Sequence, residues 1–384
     1  MEDQKRSRVV LAPCPDYEEE KVYRALREGL GLLGGIGAFA GPGERVLIKP
    51  NLVRRADVSR AVTTHPAVLA AVARLLREAG VTDVAAGDSC GIGTAADAAA
   101  GAGIQKALKP YGVPVIEFTG AGKIPFDGVQ AGSFYLSREV LEADALINVC
   151  KMKTHALERV TGAVKNLYGC VHGLHKAKGH TQYPSADSFA RMLVDLNRLV
   201  KPRLHIMDGV VAMEGNGPTS GDPVFMGVLL ISEDPVALDS VFCRLIHLDP
   251  RMVPTNYHGE KMGLGFWQEE NICLLTPGQD GPEELSMDEA VRRYGREAFR
   301  VDRRKARTGL WVRLARVFNL FQKRPYVDKN LCVKCGICVE SCPVEGKALH
   351  FADGRKEPPV YDYKKCIRCF CCQEMCPHKA IKVK

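Results

Sequence analysis

Residues 45–89 read RVLIKPNLVRRADVSRAVTTHPAVLAAVARLLREAGVTDVAAGDS. Two short apolar runs, Arg45 to Ile48 and Val81 to Ala86, flank one strongly periodic segment. In that segment Thr64 or His65 precedes Pro66, apolar positions recur at helical spacing, and Gly80 ends the pattern. Proline in the first turn and glycine after the last are the punctuation of a helix. The stretch predicts strand, helix, strand. Continuous apolar strands joined by a helix belong to a parallel sheet covered on both faces.

The alternation continues outward. Val113 to Phe118 reads as a strand, and Ala145 to Cys150 as a buried strand running into Lys151-Met152-Lys153-Thr154-His155. Ser188 to Val200 is an amphipathic helix stopped before Pro202, and Leu204 to Met207 is a strand leading to Asp208-Gly209. Gly227 to Ile231 is a strand and Pro235 to Ile246 a helix, with Asp234 as its cap. Residues 275–300 are polar and helical in part. The expected class is α/β, a mainly parallel sheet with helices on both faces, without internal repeat. Ligands of such sheets bind beyond the carboxyl ends of the strands.

The chain has 384 residues, 46% of them hydrophobic and 26% charged. This excludes a largely disordered, collagen-like or coiled-coil protein. No apolar run approaches the roughly 18–20 residues that cross a bilayer. Gly29 to Ala40 is short and broken by glycines, and MEDQKRSRVV lacks the apolar core of a secretory signal. A cytoplasmic location is expected. The net charge of +8 sits mostly in residues 301–324, where eight basic side chains face Asp302 alone. The basic balance therefore belongs to a connector and does not predict nucleic-acid binding. Three units are expected: an α/β domain (1–300), a basic amphipathic helical connector (301–324) and a cysteine-rich module (325–384). Within the connector, TGLWVRLARVFNLFQ (308–322) places Leu310, Trp311, Leu314, Val317, Phe318 and Phe321 on one stripe. That helix either docks the module onto the first domain or meets a partner or membrane surface. Docking is preferred, so a membrane surface is not an expected partner.

Cysteine carries the strongest signal. Of 15 cysteines, six stand singly before residue 332 and nine fall between Cys332 and Cys376. The odd total and the absence of an export signal argue against disulfides and for metal. Cys332-x-x-Cys335-x-x-Cys338-x-x-x-Cys342-Pro343 is followed by Cys366-x-x-Cys369-x-x-Cys372-x-x-x-Cys376-Pro377. This is the spacing of iron–sulfur ligands. A pair of zinc sites is the alternative, but it leaves the paired x3-Cys-Pro endings unexplained. Residues 326–384 resemble the bacterial two-cluster ferredoxins over their whole length. The resemblance implies two 4Fe–4S clusters, one on Cys332, Cys335, Cys338 and Cys376, the other on Cys366, Cys369, Cys372 and Cys342. Cys371 is extra to the pattern.

The first domain offers weaker signals. Gly87-Asp88-Ser89-Cys90-Gly91-Ile92-Gly93-Thr94 follows a strand and is either an anion cradle or a structural turn. It is not G-x-G-x-x-G and does not predict a dinucleotide. Lys151, Lys153 and His155 alternate after a strand and would point the same way if extended. Thr161 to Gly169 would start a helix near them. Lysines beside a helix N-terminus suit a carboxylate or phosphate, and His155 suits a proton donor. A solvated charged loop is the alternative. His172, His175 and His180, with Lys176 and Lys178, read as a mobile basic loop or lid rather than a metal site. Asp208, Glu214 and Asp222 fall in a Gly/Pro-rich stretch that either lines the same cleft or is plain surface.

KPNLV (49–53), GDSCGIGT (87–94), NVCKMKTHALERVTGAVKNLYG (148–169), DGVVAMEGNGPTSGDP (208–223) and SEDPVALDSV (232–241) are similar to the "domain of unknown function 362" family. Members often carry an attached ferredoxin module. The resemblance implies an iron–sulfur protein with an α/β domain and no particular substrate; Cys90 departs from it, standing where members often have proline.

These readings together predict a ferredoxin-linked reductase passing low-potential electrons to a small anionic substrate or cofactor. Lys153, His155, Asp208 and Glu214 are the candidate catalytic residues. Lys49, Asn51, Asp88, Lys151, Lys165 and Asn166 are the candidate ligand-binding residues. A ferredoxin or another redox protein is the expected electron partner. A non-enzymatic electron carrier and a maturation or scaffold protein are the alternatives.

Overall fold

The computed structural model describes residues 6–91, 93–173, 175–279, 281–304 and 323–384. Among these residues the first domain has twelve strands: β1 (Ser7–Pro13), β2 (Arg45–Lys49), β3 (Asp83–Asp88), β4 (Val115–Glu117), β5 (Gly120–Pro125), β6 (Ser133–Ser137), β7 (Ala145–His155), β8 (Arg159–Thr161), β9 (Leu204–Glu214), β10 (Asp222–Ser232), β11 (Ile272–Gly278) and β12 (Gly281–Leu285). Ten of them form one sheet in the order β12-β11-β1-β10-β9-β7-β2-β3-β4, with β8 paired to β7. From β9 through β7, β2 and β3 to β4 every pairing is parallel. The other half is mixed: β10 runs antiparallel to both β1 and β9, and β1 is parallel to β11. β5 and β6 form a separate hairpin.

Strand alternation sorts the core into two faces. Val46, Ile48, Ile147, Val149 and Ile206 pack with the helices Glu19–Gly31 and Pro66–Glu78. Their strand neighbours pack the opposite way. Leu47 and Leu146 meet the helix Ala186–Val200, and Cys150 and Met207 meet the helix Pro235–Leu245. The expected α/β sheet, mainly parallel and helix-covered on both faces, is present. Asp234 accepts from Val236 N and Ala237 N as the predicted cap.

Two strands run further than expected. β7 continues through Lys151 to His155, where β8 pairs with it. β9 continues through Asp208 to Glu214, paired with the returning β10. The polar residues of both extensions are buried, with Lys151 and Asp208 paired to each other and the rest to partners elsewhere, so the apolar signal stops before the strand does. Residues 275–300 contain β12 and the helix Met287–Tyr294, which a Ser286–Glu289 capping box starts.

The cysteine-rich module repeats itself in backbone. Pro325–Val327 pairs with Ile381–Val383, and Leu349–His350 with Val360–Tyr361. Each motif carries left-handed residues on both sides of its second cysteine: Lys334 (φ 60°) and Gly336 (φ 88°), then Arg368 (φ 57°) and Phe370 (φ 63°). Non-glycine residues adopt this region at a cost of about 1–3 kcal/mol, and such residues gather at functional sites. A short helix follows each time, Ile337–Glu340 and Cys371–Met375. The module docks on residues 216–222. Gln373 donates to Asn216 O (2.9 Å) and Gly217 O (3.0 Å), Thr219 Oγ1 donates to Glu374 O (2.5 Å), and Lys379 reaches Asp222 (3.1 Å). The helix expected at 308–322 lies outside the described residues. On its near side Arg159 donates to Asp302 O (2.6 Å) and Arg304 O (3.0 Å).

Candidate functional site

The module contains two small cavities. One, about 20 Å³, has Cys332, Cys335, Cys338 and Cys376 in its wall. The other, also about 20 Å³, has Cys342, Cys366, Cys369 and Cys372. Each wall takes three cysteines from one motif and the Cys-Pro cysteine of the other. Cys371 belongs to neither. Four thiols around one small cavity fit a cubane, whose irons each need one thiolate.

A third, larger space lies between the module and the strand ends. It measures about 680 Å³, within the usual range for organic ligands. Asn51, Asp88, Lys153, Lys165 and Asn166 line it from the α/β domain; Ile337, Cys342, Pro343, Glu374 and Met375 line it from the module. Cys342 thus borders both this cleft and the second cysteine cavity.

Lys153 emerges from β7 fully buried. Its Nζ donates to Asn51 Oδ1 (2.5 Å) and Val62 O (2.8 Å), neither of them charged. Burial, with Lys165 and Lys151 adding like charge, pushes its ammonium down to about 7. An ammonium only donates, so it fixes a chain of amides. Asn51 turns its carbonyl to Lys153 and its NH₂ to Asn166 Oδ1 (2.9 Å). Asn166 donates to Asn148 Oδ1 (2.7 Å), and Asn148 to His205 Nδ1 (2.9 Å). The proton of His205 therefore sits on Nε2.

Lys165 makes no hydrogen bond or ion pair among the described residues. Lys176 donates to Ser89 O and to Cys90 O (3.2 Å), and burial lowers it to about 8. The Gly87–Thr94 loop is hence neither a bare turn nor a free cradle: a lysine ties it down. Behind it Lys49 Nζ pairs with Asp88 Oδ1 (3.0 Å), while Leu52 N donates to Asp88 Oδ2 (2.8 Å). A Cβ at Gly169 would overlap Asp88 Oδ1 and lie 2.7 Å from Lys49 Nζ, so glycine there admits the pair.

Several expectations need correction. His155 does not line the cleft. Its Nδ1 accepts from Leu157 N (3.2 Å) and Glu158 N (3.1 Å), so its proton is on Nε2, 2.7 Å from Glu374 Oε1. Burial and then Lys165 lower its pKa to about 4, which makes it a neutral contact across the domain junction. Burial opposes ionisation of Glu374, but His155 and Lys165 outweigh it and hold that carboxyl well below the usual range. Lys151 and Asp208 do not line the cleft either. They pair at 2.7 Å, with Tyr17 and His65 N also donating to Asp208 (2.7 and 2.9 Å). All three donors reach one buried carboxylate, which leaves it no acid–base work in the cleft. Glu214 accepts from Arg300 N and Nε (both 2.8 Å) and anchors that segment instead. The stretch expected to supply carboxylates, 214–222, is the module's docking surface.

The helix after Thr161 has four residues, Ala163–Asn166, and its first amides donate to Asp239 (2.6 and 3.1 Å), not to a ligand. The expected histidine loop is the helix His175–Gln182, where His175 stacks on Tyr135 and His180 on Phe189. His172, His175 and His180 join no metal-holding group among the described residues. Sequence reasoning missed Lys176 as a cleft residue, although it stood in the flagged segment. It also missed Glu374, Met375 and Ile337, which only docking brings to the site.

A family model described as "Domain of unknown function (DUF362)" matches residues 46–244, and one described as "4Fe-4S dicluster domain" matches residues 324–377. The ferredoxin-like domain marks an iron–sulfur protein of electron transfer. The thylakoid-associated protein of Synechocystis sp. is 40% identical over 281 residues, covering 73% of this chain and 86% of that one. Among solved structures, the lactate racemase apoprotein of Thermoanaerobacterium thermosaccharolyticum aligns over 64% of this chain at 13% identity, TM-score 0.39. A Thermotoga maritima protein aligns over 66% at 14% identity, TM-score 0.35. The present chain covers 58% and 60% of those two chains. Among the described residues no helix is long and apolar enough to cross a membrane.

Proposed function

We propose that this chain, which belongs to the domain of unknown function 362 family and ends in a 4Fe–4S dicluster domain, is a reductase for a small anionic ligand held in the interdomain cleft. One observation carries the reading: Cys342 stands in the wall of a cysteine-lined cavity and in the wall of a lysine-lined cleft. Two 4Fe–4S clusters, held by Cys332, Cys335, Cys338 and Cys376 and by Cys366, Cys369, Cys372 and Cys342, would supply one-electron reducing equivalents. Lys165 and Lys176 attract the anion. Lys153, poised near neutrality, holds a proton that it can give to the ligand, and Asn51 and Asn166 fix its position. Leu331 and Val333 flank Cys332 and are 42% and 57% exposed. That face suits a ferredoxin or another redox protein as electron donor. The domain boundaries of the reading are 1–300, 301–324 and 325–384.

The test is anaerobic purification followed by iron analysis and mass spectrometry of any co-purified small molecule. Wild-type protein is expected to carry an anionic ligand, and Lys165→Ala to lose it while keeping its iron. Identical ligand content in the two proteins, or none in either, favours the carrier reading.

A further inference from the structure

The cleft is much larger than one inorganic anion needs. Its 680 Å³ compares with about 30 Å³ for one water in the liquid. Its two walls also differ in kind. The cations come from the α/β domain, on three separate elements: Lys153 on β7, Lys165 on the helix Ala163–Asn166, and Lys176 on the helix His175–Gln182. Of these, Lys165 makes no hydrogen bond or ion pair among the described residues, although it acts through space on Glu374. The facing wall sets Ile337, Pro343 and Met375 beside Cys342, together with Glu340, Ser341 and Glu374. Its lysine, Lys347, is spent on Glu340 O (3.1 Å) and Cys342 O (2.7 Å). Met375 closes against the α/β domain tightly enough that a Cβ on Gly91 would lie 2.6 Å from its Cε.

A compact anion would fill only the lysine end and leave the apolar wall wet. A neutral apolar molecule would fill the other end and bury Lys165 unpaired, which is costly. Electrons reach the ligand through the Cys342 wall, so the electron-accepting part belongs there, while charge belongs opposite. We infer that the cleft binds an elongated organic anion, with a phosphate- or carboxylate-bearing tail on Lys165 and Lys176 and a conjugated body against Ile337 and Pro343. This inference rests on the reductase reading and specifies its ligand class.

Flavin mononucleotide has both parts and serves as the probe; riboflavin lacks the phosphate, and inorganic phosphate lacks the body. Each is titrated by calorimetry into anaerobic holoprotein freed of its own ligand. Flavin mononucleotide is expected to bind at least tenfold more tightly than either fragment. Lys165→Ala should weaken it roughly ten- to a hundred-fold, the effect of one charge-assisted hydrogen bond, without changing riboflavin. Ile337→Ser, with iron content confirmed, should weaken the mononucleotide and leave phosphate unchanged. If phosphate binds as tightly as the mononucleotide, the two-ended ligand is wrong while the anion site stands; if riboflavin does, the anionic end is wrong. If none of the three binds, and Lys165→Ala leaves co-purified material unchanged, the cleft reading falls with it.

Discussion

Lys153 makes the sharpest quantitative prediction, because it is buried near other charged groups while its own hydrogen-bond partners are neutral. Lys165 and Lys151 repel its proton, Glu374 and Asp88 attract it, and burial outweighs both, which sets the amine near 7. The sign follows directly. A lysine with a depressed pKa is a cation below that value and neutral above it, so its help to an anion is present at low pH and lost as pH rises. Lys176 behaves likewise from about 8. Each pH unit above either value costs up to tenfold in affinity, about 1.4 kcal/mol. From pH 7 to pH 9 Lys153 can therefore remove about a hundredfold and Lys176 about tenfold, some thousandfold together. Inorganic sulfate is a dianion throughout this range, so its own charge stays constant. Equilibrium dialysis of radiolabelled sulfate against anaerobic holoprotein reads the effect. Wild type should weaken steadily from pH 7. Lys153→Met should stay flat to about pH 8 and then lose only the Lys176 share. Lys153→Arg, charged throughout, should follow the same flat course with tighter binding than the Met variant. Parallel curves for wild type and Lys153→Met would refute the placement of a titrating amine in the anion site.

Other expectations are simpler. Holoprotein should contain about eight irons and eight acid-labile sulfides per chain; stoichiometric zinc without sulfide contradicts this. Cys342→Ala should damage the cluster whose other ligands are Cys366, Cys369 and Cys372, whereas Cys371→Ala should leave both clusters intact, as read by electron paramagnetic resonance of the reduced protein. Gly169→Ala should separate Lys49 from Asp88 and cost about 3–5 kcal/mol, the price of a buried charge left unpaired, seen as a large drop in thermal midpoint. Lys151→Met should likewise destabilise the fold through Asp208 while leaving phosphate affinity unchanged in the protein that does fold; a loss of affinity equal to that of Lys165→Ala would return Lys151 to the ligand site.

The strand–helix–strand alternation and the cysteine spacing were legible because each depends on local order alone. Periodicity locates Pro66–Glu78 without any tertiary knowledge. What failed was polarity used as a guide to exposure. Lys151, Asp208 and Glu214 look like cleft residues because charged groups near apolar strands suggest function. Lys151 and Asp208 instead neutralise each other from opposite positions in the β7–β9 register, and Glu214 is taken up by Arg300, pairings no linear reading shows. Asn51, Asp88, Lys153, Lys165 and Asn166 line one cleft, since all sit near the carboxyl ends of parallel strands. Glu374 lies inside a cysteine motif, where nothing in the sequence distinguishes it from solvent-facing filler. Only docking on residues 216–222 carries it to His155.

On the proposed function, electrons held in the cysteine-rich module leave through the lysine-lined cleft. The most direct measurement reduces the holoprotein chemically, mixes it anaerobically with the co-purified ligand, and follows recovery of the visible iron–sulfur absorbance. Rapid recovery in wild type, with recovery slowed at least tenfold in Lys165→Ala of equal iron content, is the predicted result. Recovery at the same rate in both proteins, or recovery only with a redox protein as acceptor, would contradict it.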